Sequence, residues 1–261
     1  MLTGGAPLAL ATLAAAAYLV AAWMERVAIP ALVIGWFAHF AVLVLDIGGW
    51  GAEQPGARLG FAPVLSMTVW LVVAVYTVES RLVPLPSVRR WIATAGAAAV
   101  GLALVFPGEP RVYASALAPL HFALGVGSYG LFGAAVLHAG LLDAADRRLK
   151  LRTGPPTGAF GMPLMQLERL TFSFVEAGFT VLTATLLLGA LTATQWRLDL
   201  HKTVFSVLAW LVFGALLLGR RFRGWRGRRA TRWVYAGAVL LLLAYVGSRF
   251  VFEVLLGRTP V

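Results

Sequence analysis

The chain has 261 residues, 60% of them hydrophobic and 13% charged, with a mean hydropathy of +0.82. Soluble domains run at roughly 45–50% apolar content, so this composition excludes an ordinary soluble globule and selects a bilayer protein. The net charge of +11 raises nucleic acid as a partner, but the basic residues cluster between apolar runs instead of forming one basic face, which excludes that class.

A hydrocarbon core of ~30 Å takes about 20 helical residues to cross. Eight apolar runs of that order follow one another, at 5–23, 28–45, 61–78, 91–106, 113–142, 170–193, 203–218 and 233–256. The first has no basic residue before it and no small-residue cleavage site leading into polar chain, so it is expected to be retained as a span. The second carries Trp36, His39 and Phe40, and the fifth carries PLHFALGVGSYG at 119–130. Glu176 sits in the sixth run, and Arg249 with Glu253 in the eighth. The longest connection, 143–169, is too short for a further domain, so the expectation is one all-α, eight-helix transmembrane domain over 1–261.

Lys and Arg are partitioned by alternate connections. Sixteen fall in one set, Arg26, Arg81, Arg89, Arg90, Arg147, Arg148, Lys150, Arg152, Arg169 and seven arginines between Arg220 and Arg232. Five fall in the other, Arg58, Arg111, Arg197, Lys202 and Arg258. The positive-inside rule makes the first set cytoplasmic and puts both termini on the outer side. The stretch RRFRGWRGRRATR, 220–232, is then expected to lie as an anchor against anionic lipid.

Gly125, Gly127 and Gly130 spell G-x-G-x-x-G, but a dinucleotide site needs a strand, a tight turn and a helix N-terminus around it. Inside a span, these small residues instead let neighbouring helices approach. With no cysteine in the chain, any metal chemistry falls to histidine, carboxylate or backbone.

His39 lies seven residues before Asp46, ~10 Å below the outer end of its span, and His121 lies eight residues after Tyr113, ~12 Å below. A lone membrane histidine is ordinarily an interhelical hydrogen-bonder. Two imidazoles at matching depth on separate helices suit the axial positions of a haem iron. Zinc would draw on Asp46 and Asp199 as further ligands, and these lie at the interface. His201, beside Asp199, is an alternative ligand or gate, while His138, ~26 Å from His121, is expected at the end of its helix against the terminal carbonyls. Arg249 and Glu253, four apart, either pair with each other or leave the Arg249 guanidinium for a propionate. Glu176 reads as a buried hydrogen-bonder or part of a polar path. Trp36, Phe40, Phe122 and Tyr129 suit a porphyrin face, though their helical spacing equally suits a core.

The segments PLHFALGVGSYGLF, MPLMQLERLTF, HKTVFSVLAWLVF, GWRGRR and AYVGSRFV, in that order within 119–252, resemble the YpjD/HemX branch of the CcsA-type cytochrome c assembly proteins. That resemblance implies a non-enzymatic, multi-pass protein of the bacterial inner membrane. It would hold or translocate haem b by bis-histidine ligation near the outer leaflet, with haem, membrane lipid and other cytochrome c maturation proteins as partners. His121 opens the span that carries an external haem-liganding histidine in that family. The family's tryptophan-rich haem segment is reduced to Trp196, Asp199 and Trp210 around His201, and its second external histidine is replaced by the Arg249–Glu253 neighbourhood. Two alternatives stand beside haem delivery: a permease for a metal ion or small solute using Glu176, Arg249 and Glu253, and a HemX-type regulatory subunit.

Overall fold

The computed structural model describes residues 5–47, 57–58, 60–80, 86–107, 110–111, 117–151, 164–192 and 201–255, with His201, Phe252 and Glu253 among those described in backbone only. The helices are α1 Gly5–Trp23, α2 Ala28–Ile47, α3 Phe61–Glu79, α4 Pro86–Val105, α5 Ala118–Lys150, α6 Leu164–Thr192, α7 His201–Arg223 and α8 Gly227–Leu242. Beyond Leu242 the chain runs through a π-helical turn Leu243–Gly247, one α turn Ser248–Phe250 and a second π segment Val251–Leu255. Among the described residues eight helices are long and apolar enough to cross a membrane, so the all-α polytopic class is the one the chain adopts. A two-residue antiparallel ladder, β1 Ala57–Arg58 against β2 Pro110–Arg111, joins the α2–α3 and α4–α5 connections.

Most ends lie close to the hydropathy boundaries, and three move for identifiable reasons. Helix α5 continues past Leu142 to Lys150 because Asp143 is held from α8: Thr231 and Tyr235 donate hydrogen bonds to its two carboxylate oxygens at 2.9 and 3.0 Å. Helix α6 starts at Leu164, six residues before the apolar run, where Glu168 meets Arg220 at 3.1 Å and Arg226 at 3.8 Å. Helix α7 carries its register through Arg223. Hydropathy counts charged turns as loop, whereas paired charges at the membrane boundary continue the helix.

The contacts sort the chain into two compact units, Met1–Ala116 with Arg249–Val261, and Leu117–Ser248. In the first, α1 packs on α2 and α4, and α3 closes the ring against the same two helices. Alanines 11, 14, 17, 21 and 22 make one buried face of α1, which lets its neighbours come close. Tyr18 is the large side chain on that face, fully buried, with Gly35 of α2 at one ring edge and Gly96 of α4 at the other. A Cβ at either glycine would stand 2.9 Å from the ring.

In the second unit α5 packs on α6 and α8, with α7 between α6 and α8. Its centre is Phe132 stacked on Phe213 at 3.8 Å between centroids. The G-x-G-x-x-G glycines do helix-packing work: Cβ positions at Gly125 and Gly127 face Thr185 and Val181 of α6 across 3.8 and 4.0 Å. The α7–α8 hairpin turns within Gly224–Arg226, with Gly224 at φ 62° and Gly227 at φ 56°, left-handed conformations that glycine adopts without strain. The Trp225 N–H donates back to the Gly219 carbonyl at 3.3 Å, and its ring lies on Gly219, where a Cβ would be 2.4 Å away. The basic stretch is thus a built turn: Arg220 lies over Phe172, Arg229 over Trp225, and Arg221, Arg223, Arg228 and Arg232 are exposed.

Candidate functional site

His39 is completely buried in the first unit and has both ring nitrogens engaged. Tyr18 Oη lies 3.2 Å from Nδ1 and Ser66 Oγ lies 2.7 Å from Nε2, so one imidazole ties α1, α2 and α3 together. With two hydroxyl partners, each able to donate or accept, either neutral tautomer satisfies the node. Neither Tyr18 nor Ser66 stood out in the sequence. Tyr18, with Thr12, is one of two hydroxyl residues in α1, and that isolation in an alanine helix is the signal that could have found it.

His121 is differently placed. Helix α5 begins at Ala118, five residues later than the hydropathy boundary, so His121 stands in its first turn, ~5 Å along the axis from the start. His39 lies eight residues before the end of α2, ~12 Å in. Measured from the ends of the described helices, the two histidines are thus ~5 and ~12 Å in, where the hydropathy boundaries put them at ~12 and ~10 Å. The imidazole of His121 lies against the backbone of Gly189 on α6, where a Cβ would come within 2.8 Å of Cε1. Its Nδ1 is buried without a hydrogen-bond partner among the described residues. An orphaned buried acceptor or donor costs about 1–3 kcal/mol, which a ligand to that nitrogen would offset.

The remaining candidates are scattered. Arg249 is 3% exposed, belongs to the first unit, and sits in the single α turn between the two π segments. Beside it, Phe250 meets Phe61 edge-on at 5.4 Å, and Phe61 tilts onto Phe106 at 5.2 Å. The Glu253 side chain, and with it the Arg249–Glu253 pairing, lies outside the described residues, as do Trp196, Asp199 and the side chain of His201, whose backbone opens α7.

Trp36 stacks on Trp70 at 4.9 Å, and each indole N–H donates to the other residue's carbonyl, at 3.3 and 3.1 Å. Tyr129 donates its hydroxyl to the Leu241 carbonyl just ahead of the π turn. Trp210 is nine residues into α7, bonded to Thr183 Oγ1 at 2.8 Å and stacked on Phe179, hence in the α6–α7 core.

His138 corrects its expected position. It is not at a helix end but twelve residues before Lys150, 1% exposed, with Nδ1 donating to the Ala134 carbonyl at 2.8 Å. Glu176 is likewise not buried: it lies on the exposed face of α6. Asp46 is 4% exposed with Arg58 at 4.0 Å. Among the described residues no group of three or more His, Cys, Asp or Glu could hold a metal ion.

A haem iron needs an imidazole nitrogen with a free lone pair. His121 fits that requirement as it stands, while His39 fits once Ser66 or Tyr18 gives up a ring nitrogen.

Comparison with known proteins agrees with the motifs. The family described as cytochrome C assembly protein matches residues 59–256. Inner membrane protein YpjD of Escherichia coli K12 is 35% identical over 163 residues, 60% of this chain, and the match spans 60% of that protein's length. The 28.8 kDa protein in the nifR3-like 5′ region of Azospirillum brasilense is 32% identical over 242 residues, 84% of this chain and 87% of that one. Cytochrome c biogenesis protein CcsA of Prochlorococcus marinus MIT 9303 is 34% identical over 87 residues, 31% of this chain and 27% of its own. No solved structure matches the chain. The ordered motifs, the eight spans and the match over most of the length converge on one conclusion: this multi-pass membrane protein belongs to the CcsA-type cytochrome c assembly protein family, in its YpjD branch.

Proposed function

We propose that the chain handles b-type haem for cytochrome c assembly in the bacterial inner membrane, with both termini outside and its eight helices acting as one domain. It holds or moves haem near the outer leaflet through His121 and His39. The observation that carries the reading is the buried, unpartnered Nδ1 of His121 in a chain of this family. Bound haem would supply an iron that imidazole nitrogens can ligate, and His121 and His39 would hold it.

His121 is held for that role by the Gly189 backbone behind its ring. His39 takes part by exchanging one hydroxyl, Ser66 from Nε2, while Tyr18 keeps Nδ1 oriented, as hydrogen bonds to the second nitrogen orient metal-binding histidines generally. Arg249 offers a buried forked cation to a propionate. His201 is the alternative ligand, and Trp36, in the first unit, and Tyr129, in the second, are the aromatic side chains assigned to the porphyrin. The chain has no cysteine, and attachment of haem to cytochrome c is assigned to other maturation proteins.

The test is the absorption spectrum of the detergent-purified protein, oxidised and dithionite-reduced, beside His121→Ala and His39→Ala. The reading expects a low-spin bis-histidine spectrum that becomes high-spin or disappears in each variant. A protein that stays colourless after incubation with haemin refutes it. Loss in His121→Ala alone would keep haem binding and remove His39 from the ligand pair.

A further inference from the structure

The stretch RRFRGWRGRRATR holds seven arginines that haem handling does not use. In the fold they are of two kinds. Arg220 and Arg229 build the turn: the first lies 3.7 Å over the Phe172 ring and 3.1 Å from Glu168, the second 4.4 Å over Trp225. Trp225 is buried and tilted on Trp233 at 5.2 Å, between the left-handed glycines Gly224 and Gly227. Around that frame Arg221, Arg223, Arg226, Arg228 and Arg232 are exposed.

Little negative charge answers them. Among the described residues the carboxylates that touch the hairpin are Glu168, shared by Arg220 and Arg226, and Asp143, whose two oxygens are taken by Thr231 and Tyr235. No described carboxylate reaches Arg221, Arg223, Arg228 or Arg232. The first turn of α8 has no acidic residue, and its N-cap Arg226 makes no side-chain cap bond, so arginines stand where the positive end of a helix dipole favours an anion. Cations in that number repel one another, and a frame that fixes them keeps the repulsion until an anion enters.

The level of the turn selects the anion. Helix α7 is apolar enough to span as far as Arg223, and α8 from Gly227, so residues 224–226 lie where two spans end, at the polar boundary of a bilayer. Leu218 and Phe222, one turn apart, are 59% and 78% exposed and form an apolar strip leading up to Arg221 and Arg223. Apolar strip and forked cations in that order complement the acyl chain and the phosphate of a phospholipid. A soluble anion would have no use for the strip.

We infer that the α7–α8 hairpin is a headgroup site, at which the exposed arginines around the turn take up the phosphate of an anionic phospholipid while its acyl chain lies on Leu218 and Phe222. Arg220 and Arg229 are positioning residues, acting through Phe172, Glu168 and Trp225. A guanidinium presents two parallel N–H donors to phosphate oxygens, which an ammonium cannot. That fork separates a site from the diffuse attraction any cation gives near an anionic surface. The inference is independent of haem.

For the test, the full chain in uncharged detergent is titrated with phosphatidylglycerol and the lipid-bound fraction is read by native mass spectrometry. Phosphatidylcholine is titrated in parallel, and inorganic phosphate and polyglutamate serve as competitors. The site predicts preference for phosphatidylglycerol, at an affinity that Arg223→Gln with Arg228→Gln lowers about tenfold or more. Arg223→Lys with Arg228→Lys keeps the charge and still lowers it severalfold. Arg26→Gln with Arg90→Gln removes equal charge from the first unit and leaves it near the wild-type value. All of these side chains are exposed, so the variants should melt as the wild type does. Lysine variants that bind like the wild type, or controls that lose as much as the hairpin pair, reduce the hairpin to diffuse attraction and overturn the proposal. Equal binding of phosphatidylcholine overturns it as well. So does displacement of the lipid by phosphate or polyglutamate beyond that by chloride at equal ionic strength, which would assign the arginines to a soluble anion or to an acidic protein segment.

Discussion

Replacing Gly96 by alanine tests the packing that fixes His39. The new Cβ would lie 2.9, 3.0 and 3.1 Å from Cε2, Cδ2 and Cζ of Tyr18. The ring cannot retreat, because Gly35 closes its opposite edge with hypothetical Cβ distances of 2.9, 3.1 and 3.2 Å to Cδ1, Cε1 and Cγ. Overpacking a filled core costs about 1–3 kcal/mol, and moving the ring strains the 3.2 Å contact between Tyr18 Oη and His39 Nδ1, worth about 1 kcal/mol more. At about 2–4 °C per kcal/mol for a chain of this size, the apparent melting temperature should fall by about 5–15 °C. The assay is tryptophan-fluorescence unfolding of the purified protein in detergent at a fixed scan rate. Tyr18→Phe, which keeps the clamp and loses only the hydroxyl, should fall less, by about 1–2 kcal/mol. Tyr18→Leu in the Gly96→Ala background should recover part of the loss. An unchanged melting temperature in Gly96→Ala would refute the clamp, and with it the account of how His39 is held.

Three further outcomes follow from single contacts. Ser66→Ala removes one partner of a buried imidazole and should cost about 1–3 kcal/mol in the same unfolding assay, yet under the haem reading it frees Nε2 and should tighten haemin binding in a Soret titration. Glu168→Ala leaves Arg220, 27% exposed over Phe172, and the exposed Arg226 without their carboxylate. A loss of about 1–2 kcal/mol is expected, with Glu168→Gln retaining part of it. Tyr129→Phe removes the side-chain donor to the Leu241 carbonyl and should accelerate amide hydrogen exchange through the π turn Leu243–Gly247, measured by mass spectrometry.

Much of the fold was legible because hydropathy at the length of a bilayer is a local property. Residues 5–23 and 61–78 could be delimited almost to the residue, since a lipid-facing helix is apolar through its span and its ends are marked where charge returns. The same reasoning misplaced the ends near Asp143 and Glu168, where charge returns but is paired, by Thr231 and Tyr235 in one case and by Arg220 in the other. Pairing is a relation between residues 52 to 92 positions apart, which no local window contains.

The family, too, was carried by the sequence, because an ordered set of short motifs survives without knowledge of what each residue touches. The structure supplied the contacts behind them: GWRGRR is a left-handed glycine turn with Trp225 laid on Gly219, and ERLTF brings the carboxylate and the aromatic ring that receive Arg220.

What the sequence determined by itself is thus the membrane, the eight spans, the segregation of charge and the family, each set by composition or by order along the chain. Only the tertiary structure decided which histidine is satisfied and which is not. His39 and His121 are the same residue type, each in a helix apolar enough to cross a membrane. One meets Tyr18 and Ser66 from two neighbouring helices, and the other lies against Gly189 with its Nδ1 buried and without a hydrogen-bond partner among the described residues. Hydrogen bonding depends on distances of about 3 Å between side chains from different helices, and those distances exist only once the helices have packed.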